Sequence, residues 1–305
     1  MKIEKVSIIG LGALGVMYAQ FFTENMKDGQ ARVVASDDRI RRYKEEKIYS
    51  NGTECNFNYI ADTVMGDTAD LIILAVKNHQ LKSALETMRN QVGKETVIIS
   101  TLNGITSEEI IASEYGEEKV LLCTAQGMDA VKEENRLTYK NLGFLCIGTH
   151  DGKDSKELSK VTEFFDRINF PYKVVPDMKR QLWSKLMLNV GVNQAVAVFE
   201  TTYSGVQKEG RARDVMIDAM HEVADVAAAK GINLTKEDVT KWLELVDTLN
   251  PDGMPSLRQD TLAKRKTEVE LFGGTIIKAG EETGIPTPVN KWLYDKITEM
   301  EKSYL

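Results

Sequence analysis

The sequence predicts an α/β protein in two parts, a mostly parallel sheet domain followed by an all-helical domain. Three observations carry this. Apolar, β-prone runs alternate with helical patterns through the first half of the chain, a glycine-rich turn "GLGALG" follows the first run, and strand signals almost vanish after Pro176. At 305 residues the chain is long enough for two domains, and 42% hydrophobic against 28% charged residues is the balance of a soluble globular protein.

The strand-like runs are "IEKVSIIG", "ARVVAS", "LIILAV", "TVIIS", "KVLLCTAQ" and "FLCIGT". Helical patterns such as "VMYAQFFTENM" and "HQLKSALETM" separate the early ones, so the strands need crossover connections and run parallel. A helix near "SKELSKVTEFFDRI" leads to a short strand at "YKVV". The rest reads as helices: "MKRQLWSKLMLNVGVNQAVAVF", "ARDVMIDAMHEVADVAAAKG", "TKEDVTKWLELVDTL" and "TEVELFGGTIIKAGEETG", punctuated by Gly231, Pro251, Gly253 and Pro286. The boundary falls at Asp177, dividing residues 1–177 from residues 178–305.

A formal charge of -7 with no basic stripe argues against nucleic-acid binding, and "RIRRYKEEK" is the mixed-sign pattern of a solvated helix face. The N-terminus enters a strand without a signal-peptide pattern, and no apolar run reaches the roughly 18 residues of a membrane span. Cys55, Cys123 and Cys146 are odd in number and lack a CxxC pair, which fits reduced thiols in a cytoplasmic protein. His79, His150 and His221 are too scattered for zinc, and no metal is expected.

Gly10, Gly12 and Gly15 fit GxGxxG between a strand and a helix. The first permits a tight turn, the second lets backbone approach a pyrophosphate, and the third allows close helix–strand packing. Residues Gly10, Leu11, Gly12, Ala13, Leu14 and Gly15 are therefore expected to cradle a dinucleotide, in a dinucleotide-binding domain spanning residues 1–177. A valine at Gly10 is expected to spare the fold and weaken cofactor binding. The second strand ends at Ser36 or Asp37, and Asp37 lies 22 positions after Gly15. A carboxylate there accepts from an adenosine ribose and repels a 2′-phosphate. Ser36, Arg39, Arg41 or Arg42 could instead hold that phosphate, and Asp37 or Asp38 could simply cap the next helix.

"LWSKLMLNVGVNQAVAV" is apolar nearly all round and so reads as a buried helix. Lys185, Asn189 and Asn193 nevertheless recur on it at i, i+4 and i+8, one polar stripe that looks like a wall of a site. A hydrogen-bond network between helices is the alternative. Downstream, Glu268 falls at the edge of an apolar helix face formed by Val269, Phe272, Ile276, Ala279 and Gly280, while Glu270 points away. Glu268 could face Lys185, or could be a first-turn acid favoured by the helix dipole. In "PSLRQD", Ser256 and Gln259 have the spacing of a capping box, and the same helix start could receive a substrate carboxylate.

The ordered set "GLGALG", "LAVKNHQL", "LNG", "KLMLNVGVN", "SLRQD" and "TEVELFGG" resembles the ketopantoate reductase (2-dehydropantoate 2-reductase) family over essentially the whole chain. The resemblance implies an N-terminal Rossmann-type domain, a C-terminal helical substrate and catalytic domain over residues 178–305, and NADP(H)-dependent reduction of a 2-oxo acid. Reduction of 2-dehydropantoate to (R)-pantoate, a step of pantothenate biosynthesis, is its default. By position Lys185 is similar to the family's general acid and Glu268 to its acidic partner near lysine and cofactor. Asn103, Asn189, Asn193, Ser256 and Asp260 are similar to the groups that hold substrate, and Asn103, Lys77 and Gln80 to those near the cofactor. Two departures stand out. Asp37 occupies a position where the family often has arginine, which favours NAD(H). Gln194 replaces the proline of an "NPL" pattern, which suggests a reshaped pocket. Relatives in the family reduce other branched or aromatic 2-oxo acids, so an NAD-dependent (R)-2-hydroxyacid dehydrogenase is the second reading. A nucleotide-sensing protein without turnover is the third. A small-molecule 2-oxo acid and a second copy of the chain are the expected partners, with no nucleic acid and no membrane.

Overall fold

The computed structural model describes residues 2–305, which divide into two compact units, the first ending at Met178 and the second spanning Lys179–Leu305. In the first, β1 (Val6–Ile9), α1 (Ala13–Asn25), β2 (Ala31–Ala35) and α2 (Asp37–Glu46) precede β3 (Tyr49–Ser50), β4 (Thr53–Glu54) and β5 (Asn58–Ala61). Next come β6 (Ala69–Leu74), α3 (Leu81–Met88), β7 (Val92–Ser100), α4 (Ser107–Tyr115) and β8 (Val120–Gln126). The unit ends with β9 (Val131–Glu133), β10 (Arg136–Thr138), β11 (Phe144–Gly148), α5 (Lys156–Arg167) and β12 (Tyr172–Val174).

The main sheet has the order β12-β11-β8-β7-β6-β1-β2-β5. Neighbours from β8 to β5 are parallel, and only β11 against β8 is antiparallel. The twofold alternation of each strand divides its apolar residues between two faces. Ile8, Val33, Leu71 and Ile73 pack with Val16, Met17 and Phe22 of α1 and with Val161, Phe164 and Phe165 of α5. Ile9, Val34, Ile72 and Leu74 pack with Leu81, Ala84 and Met88 of α3 and Ile111 of α4. The result is the three-layer, mostly parallel α/β architecture that the alternating pattern predicts.

At the N-terminal ends of β1 and β2 the guanidinium of Arg32 is buried. Its Nε donates to Ser7 Oγ at 3.0 Å, and its other nitrogens donate to Asp67 Oδ2 at 2.6 Å and Gln91 Oε1 at 2.8 Å. A buried charge this well paired is a structural clamp, and it stands at the end of the strands opposite the glycine turn. A second sheet, β4-β3-β10-β9, and the edge strand β5 are additions to the sequence reading. Strands of two to four residues are too short to show a period.

The second unit is helical. It contains α6 (Met178–Val198), α7 (Tyr203–Gln207), α8 (Arg211–Ala229), α9 (Lys236–Thr248), α10 (Ser256–Leu262), a π-helical turn at Glu270–Gly274, α11 (Thr275–Thr283) and α12 (Pro288–Lys302). The fourth long helical pattern of the sequence is thus not one α-helix: its first turn is widened at "ELFGG". Helix α8 packs against α7, α9, α11 and α12. Among the described residues no helix is long and apolar enough to cross a membrane, and no group of His, Cys, Asp and Glu could hold a metal ion.

Asp238 fastens α9 to α6. Its carboxylate accepts the Thr235 N–H at 3.0 Å in a capping box and the Arg180 guanidinium at 2.6 Å. Burial pushes the Asp238 carboxyl up, but the Thr235 amide and Arg180 outweigh it and hold it below the usual range. A depressed folded-state value contributes stability above the unfolded carboxylate value, and that stability is lost as pH falls through the folded one. Asp238→Ala is therefore expected to lower unfolding free energy by about 1–2 kcal/mol at neutral pH. Urea titrations at stepped pH should show the wild-type advantage disappearing under acid conditions; an advantage independent of pH refutes the assignment.

Candidate functional site

The glycine turn has the tight geometry and close helix–strand packing that its spacing predicts at Gly10 and Gly15. Gly10 has φ +92°, and a Cβ there would lie 2.5 Å from Val76 Cγ1 and 2.7 Å from the Ala75 oxygen. A Cβ on Gly15 would lie 2.0 Å from the Gly10 oxygen, so α1 rests directly on the end of β1. Gly12 is exposed, and the nearest atom to a Cβ there is the Ala75 oxygen at 3.7 Å. It is also the N-cap of α1, with no side-chain cap and no acid in the first turn. Helix α1 thus presents its first N–H groups uncovered by its own side chains, as the pyrophosphate of a dinucleotide requires. Leu11 is buried beneath the turn, while Ala13 and Leu14 are half-buried. The expectation that Gly10→Val spares the fold is corrected: both the positive φ and the Val76 contact oppose any side chain there.

The order of the sheet reverses between β1 and β6, and in open α/β sheets ligands bind outside the strand ends at such a point. The turn after β1 and the start of α1 carry Gly10–Gly15, the segment after β6 carries Lys77–Gln80, and the loop after β7 carries Asn103. The Lys77 N–H donates to Gln80 Oε1 at 3.3 Å, and the Gln80 N–H to the Lys77 oxygen at 2.8 Å. Behind Asn103, Ser100 Oγ lies 2.8 Å from Ser107 Oγ and accepts the Leu102 N–H at 3.4 Å. This serine pair holds the turn. Sequence reading missed it, although both serines flank "LNG".

A small pocket beside Gly10 is lined by Val34, Ala35, Arg39, Tyr43, Gln80 and Thr87, among others. Asp37 is exposed and does not line it. Strand β2 ends at Ala35, one residue earlier than expected, Ser36 occupies the N-cap position, and Asp37 is the first residue of α2. Neither Asp37 nor Asp38 is the N-cap residue, so that reading of the aspartates is corrected.

In the helical unit, Lys185 and Asn189 are half-buried on α6 and Asn193 is buried. Asn193 Oδ1 accepts Ser256 Oγ–H and the Leu257 N–H, each at 3.2 Å. With its oxygen held there, Asn193 Nδ2 points along the stripe to Asn189 Oδ1, 3.5 Å away. Asn189 Nδ2 is buried and finds no hydrogen-bond partner among the described residues. A buried donor left without an acceptor costs about 1–3 kcal/mol, so an acceptor brought to Asn189 Nδ2 would be stabilised there.

The expected Ser256–Gln259 capping box does not form. Pro255 is the N-cap of α10, Ser256 Oγ is given to Asn193, and Gln259 Nε2 donates to the Met254 oxygen at 3.0 Å. Asp260 is buried and takes Arg265 Nε at 2.9 Å, closing the turn after α10. Glu268 is half-buried just before the π-turn, and its carbonyl accepts the Leu271 and Phe272 N–H groups at 3.0 and 3.2 Å. Glu270 is exposed, as its place on the pattern implies, and its carboxylate accepts the Tyr294 hydroxyl at 2.6 Å.

Family models described as "Ketopantoate reductase PanE/ApbA" and "Ketopantoate reductase PanE/ApbA C terminal" match residues 6–152 and 177–301. The chain is 23% identical to the 2-dehydropantoate 2-reductase of Streptococcus pyogenes, over 97% of each chain. It is 25% identical to that of Aquifex aeolicus, over 99% of this chain and 97% of the relative. Among solved structures, D-mandelate dehydrogenase in ternary complex with NADH and anilino(oxo)acetate superposes with a TM-score of 0.85 at 22% identity, covering 98% and 99% of the two chains. Dimeric ketopantoate reductase from Staphylococcus aureus gives 0.82 at 19% identity, covering 99% and 100%.

The glycine geometry separates stability from binding. Gly15→Ala is expected to lower the melting temperature by several degrees, since its Cβ would meet backbone. Gly12→Ala should melt as wild type while losing roughly tenfold or more in dinucleotide affinity, because its Cβ would occupy the approach to the phosphates. Thermal melts and nicotinamide fluorescence titrations check both; wild-type affinity in Gly12→Ala reduces the turn to a structural bend.

Proposed function

Because the chain belongs to the ketopantoate reductase family, we propose that it is a nicotinamide-dependent reductase of a 2-oxo acid, with 2-dehydropantoate as the first substrate and (R)-pantoate as its product. The observation that carries this reading is the α6 stripe: an ammonium at Lys185, then amides aligned so that a buried donor, Asn189 Nδ2, awaits an acceptor. A 2-oxo acid offers such acceptors in its carboxylate and carbonyl oxygens.

The N-terminal unit, residues 1–177, takes the dinucleotide, and the helical unit, residues 178–305, takes the substrate. Gly10–Gly15 and the first turn of α1 hold the pyrophosphate, with Lys77, Gln80 and Asn103 on the neighbouring strand ends. The bound reduced nicotinamide supplies hydride. Charge then builds on the substrate carbonyl oxygen, and Lys185 donates its proton there, an effect of about 10²–10⁴-fold for a positioned acid. Glu268 keeps that ammonium oriented and contacts the cofactor, while Asn189, Asn193 and Ser256 fix the substrate carboxylate. Asp260, ion-paired with Arg265, supports the α10 end of this wall. A sensor without turnover would have no use for a lysine on an otherwise apolar helix. A broader NAD-dependent (R)-2-hydroxyacid dehydrogenase uses the same parts with a different side-chain pocket. The protein is further read as a cytoplasmic homodimer, in keeping with the dimeric Staphylococcus aureus relative.

For the cofactor we favour NAD(H), because Asp37 at the start of α2 places a carboxylate just past the end of β2. NADP(H), the family default, is favoured by one observation, the presence of Arg39 in the pocket beside Gly10. Initial rates with both cofactors and a panel of 2-oxo acids decide. The expected result is a kcat/KM about tenfold higher with NADH, with Arg39→Ala nearly silent. Better rates with NADPH, lost selectively in Arg39→Ala, transfer the role to Arg39.

Lys185→Ala is expected to lower kcat by about 10²-fold or more with cofactor affinity little changed. Near-normal turnover would overturn the mechanism.

A further inference from the structure

Gln194 follows Asn193 on α6, yet it takes no part in the polar stripe. It is wholly buried. Its Nε2 donates back to the Val190 oxygen at 2.9 Å and across to Asn290 Oδ1, on α12, at 3.1 Å. Asn290 is itself immobilised: its Nδ2 donates to the Ala219 oxygen at 3.1 Å and to Glu222 Oε2 at 2.8 Å. The Glu222 carboxylate also accepts the Val289 and Asn290 N–H groups. This network fixes both the plane and the direction of the Gln194 amide. Its oxygen finds no hydrogen-bond partner among the described residues. It faces Gly273, inside the π-turn, where a Cβ would lie only 2.4 Å away.

The π-turn is clamped from more than one side. A Cβ on Gly273 would also meet Tyr294 Cβ at 3.3 Å, and the Tyr294 hydroxyl holds the Glu270 carboxylate at the start of the turn. A π-turn carries one more residue per turn than an α-helix, so its register decides the rotation of what precedes it. What precedes it here is Glu268, whose carbonyl is the acceptor for the N–H groups of Leu271 and Phe272. We propose that Gln194 is a positioning residue for the reaction: its fixed amide oxygen, pressed against Gly273, sets the register of the Glu270–Gly274 π-turn and so the rotation of Glu268. The inference rests on the reading of Glu268 as the carboxylate that orients Lys185. It gives Gln194 and Gly273 a role in turnover that acts through Glu268.

The experiment is a pair of single variants and their combination, Gly273→Ala, Gln194→Ala and the double variant, in the full-length chain. Steady-state kinetics across pH are run with the best 2-oxo acid of the panel, alongside thermal melts and dinucleotide titration. Gly273→Ala should lower kcat by about tenfold or more and displace the pH profile, since small misplacements near the chemistry have effects of that size. Dinucleotide affinity should change far less than kcat, because the glycine turn that holds the pyrophosphate is untouched. Removing the opposing oxygen in the double variant should restore a substantial part of kcat and return the pH profile toward wild type. Gln194→Asn, which withdraws the amide by one methylene, should displace the profile in a folded protein even if Gly273→Ala does not fold. A wild-type pH profile and kcat in folded Gly273→Ala or Gln194→Asn, with only the melting temperature lowered, would show simple packing and overturn the proposal. Glu268→Gln run in parallel separates the two levels. If it moves the profile and the Gly273 and Gln194 variants do not, the positioning role alone falls; if it moves nothing, the role of Glu268 falls and this inference with it.

Discussion

The contact between Gly15 and the carbonyl oxygen of Gly10 governs the N-terminal unit. With only 2.0 Å available where a Cβ would stand, α1 can lie on the end of β1 only if residue 15 is glycine. That approach brings Val16, Met17 and Phe22 down onto the sheet face shared with Ile8, Val33 and Leu71. The same closeness makes the turn tight enough to force Gly10 to positive φ and to wedge it against Ala75 and Val76, the two residues that follow β6. Glycine in such a segment costs about 0.5–1 kcal/mol in chain entropy, and burying a single large apolar side chain offsets more than that. The cradle is therefore not an ornament on the fold. The packing that builds the α/β unit also uncovers the N–H groups of α1 at the point where the strand order reverses.

Legibility in the sequence followed the length scale of the physics. The central strands are runs of Val, Ile and Leu buried on both faces, and the long helices repeat their apolar stripe over several turns, so both announced themselves. The same holds for the glycine spacing and for the stripe of Lys185, Asn189 and Asn193. Features decided by one hydrogen bond against another did not. "SLRQ" has capping-box spacing, but Pro255 took the N-cap position and Asn193 offered the Ser256 hydroxyl a buried acceptor. "ELFGGT" keeps a helical apolar pattern, and nothing in that pattern says that two adjacent glycines will admit a wider turn. Arg32 looks like a solvated charge in a short strand; only the convergence of Ser7, Asp67 and Gln91, distant in sequence, makes it the buried clamp of the sheet.

The glycine turn of the first unit and the polar stripe of the second present hydrogen-bonding groups in different ways. The cradle offers backbone N–H groups whose direction is inherited from α1, and it needs glycine mainly for what glycine lacks. The wall in the helical unit is made of side chains, and their direction has to be set bond by bond. Asn193 is the pivot. A carboxamide can present either end, and the Ser256 hydroxyl and the Leu257 N–H, both donors, leave only one orientation satisfied.

Once Asn193 is oriented, the rest of the stripe has little choice. Its Nδ2 faces Asn189, which must turn its oxygen inward and its own nitrogen onward. The polarity runs one way along α6, from the start of α10 through two amides, and aligned hydrogen-bonded dipoles reinforce one another in a low-dielectric interior. It ends on a donor, one turn from the ammonium of Lys185. A wall that ends in donors favours a ligand bearing acceptors and negative charge and discriminates against cations, whose burial there would leave both partners unsatisfied. That preference for acceptors is prepared before any ligand arrives. It originates in a serine hydroxyl and a backbone amide rather than in the ammonium of Lys185.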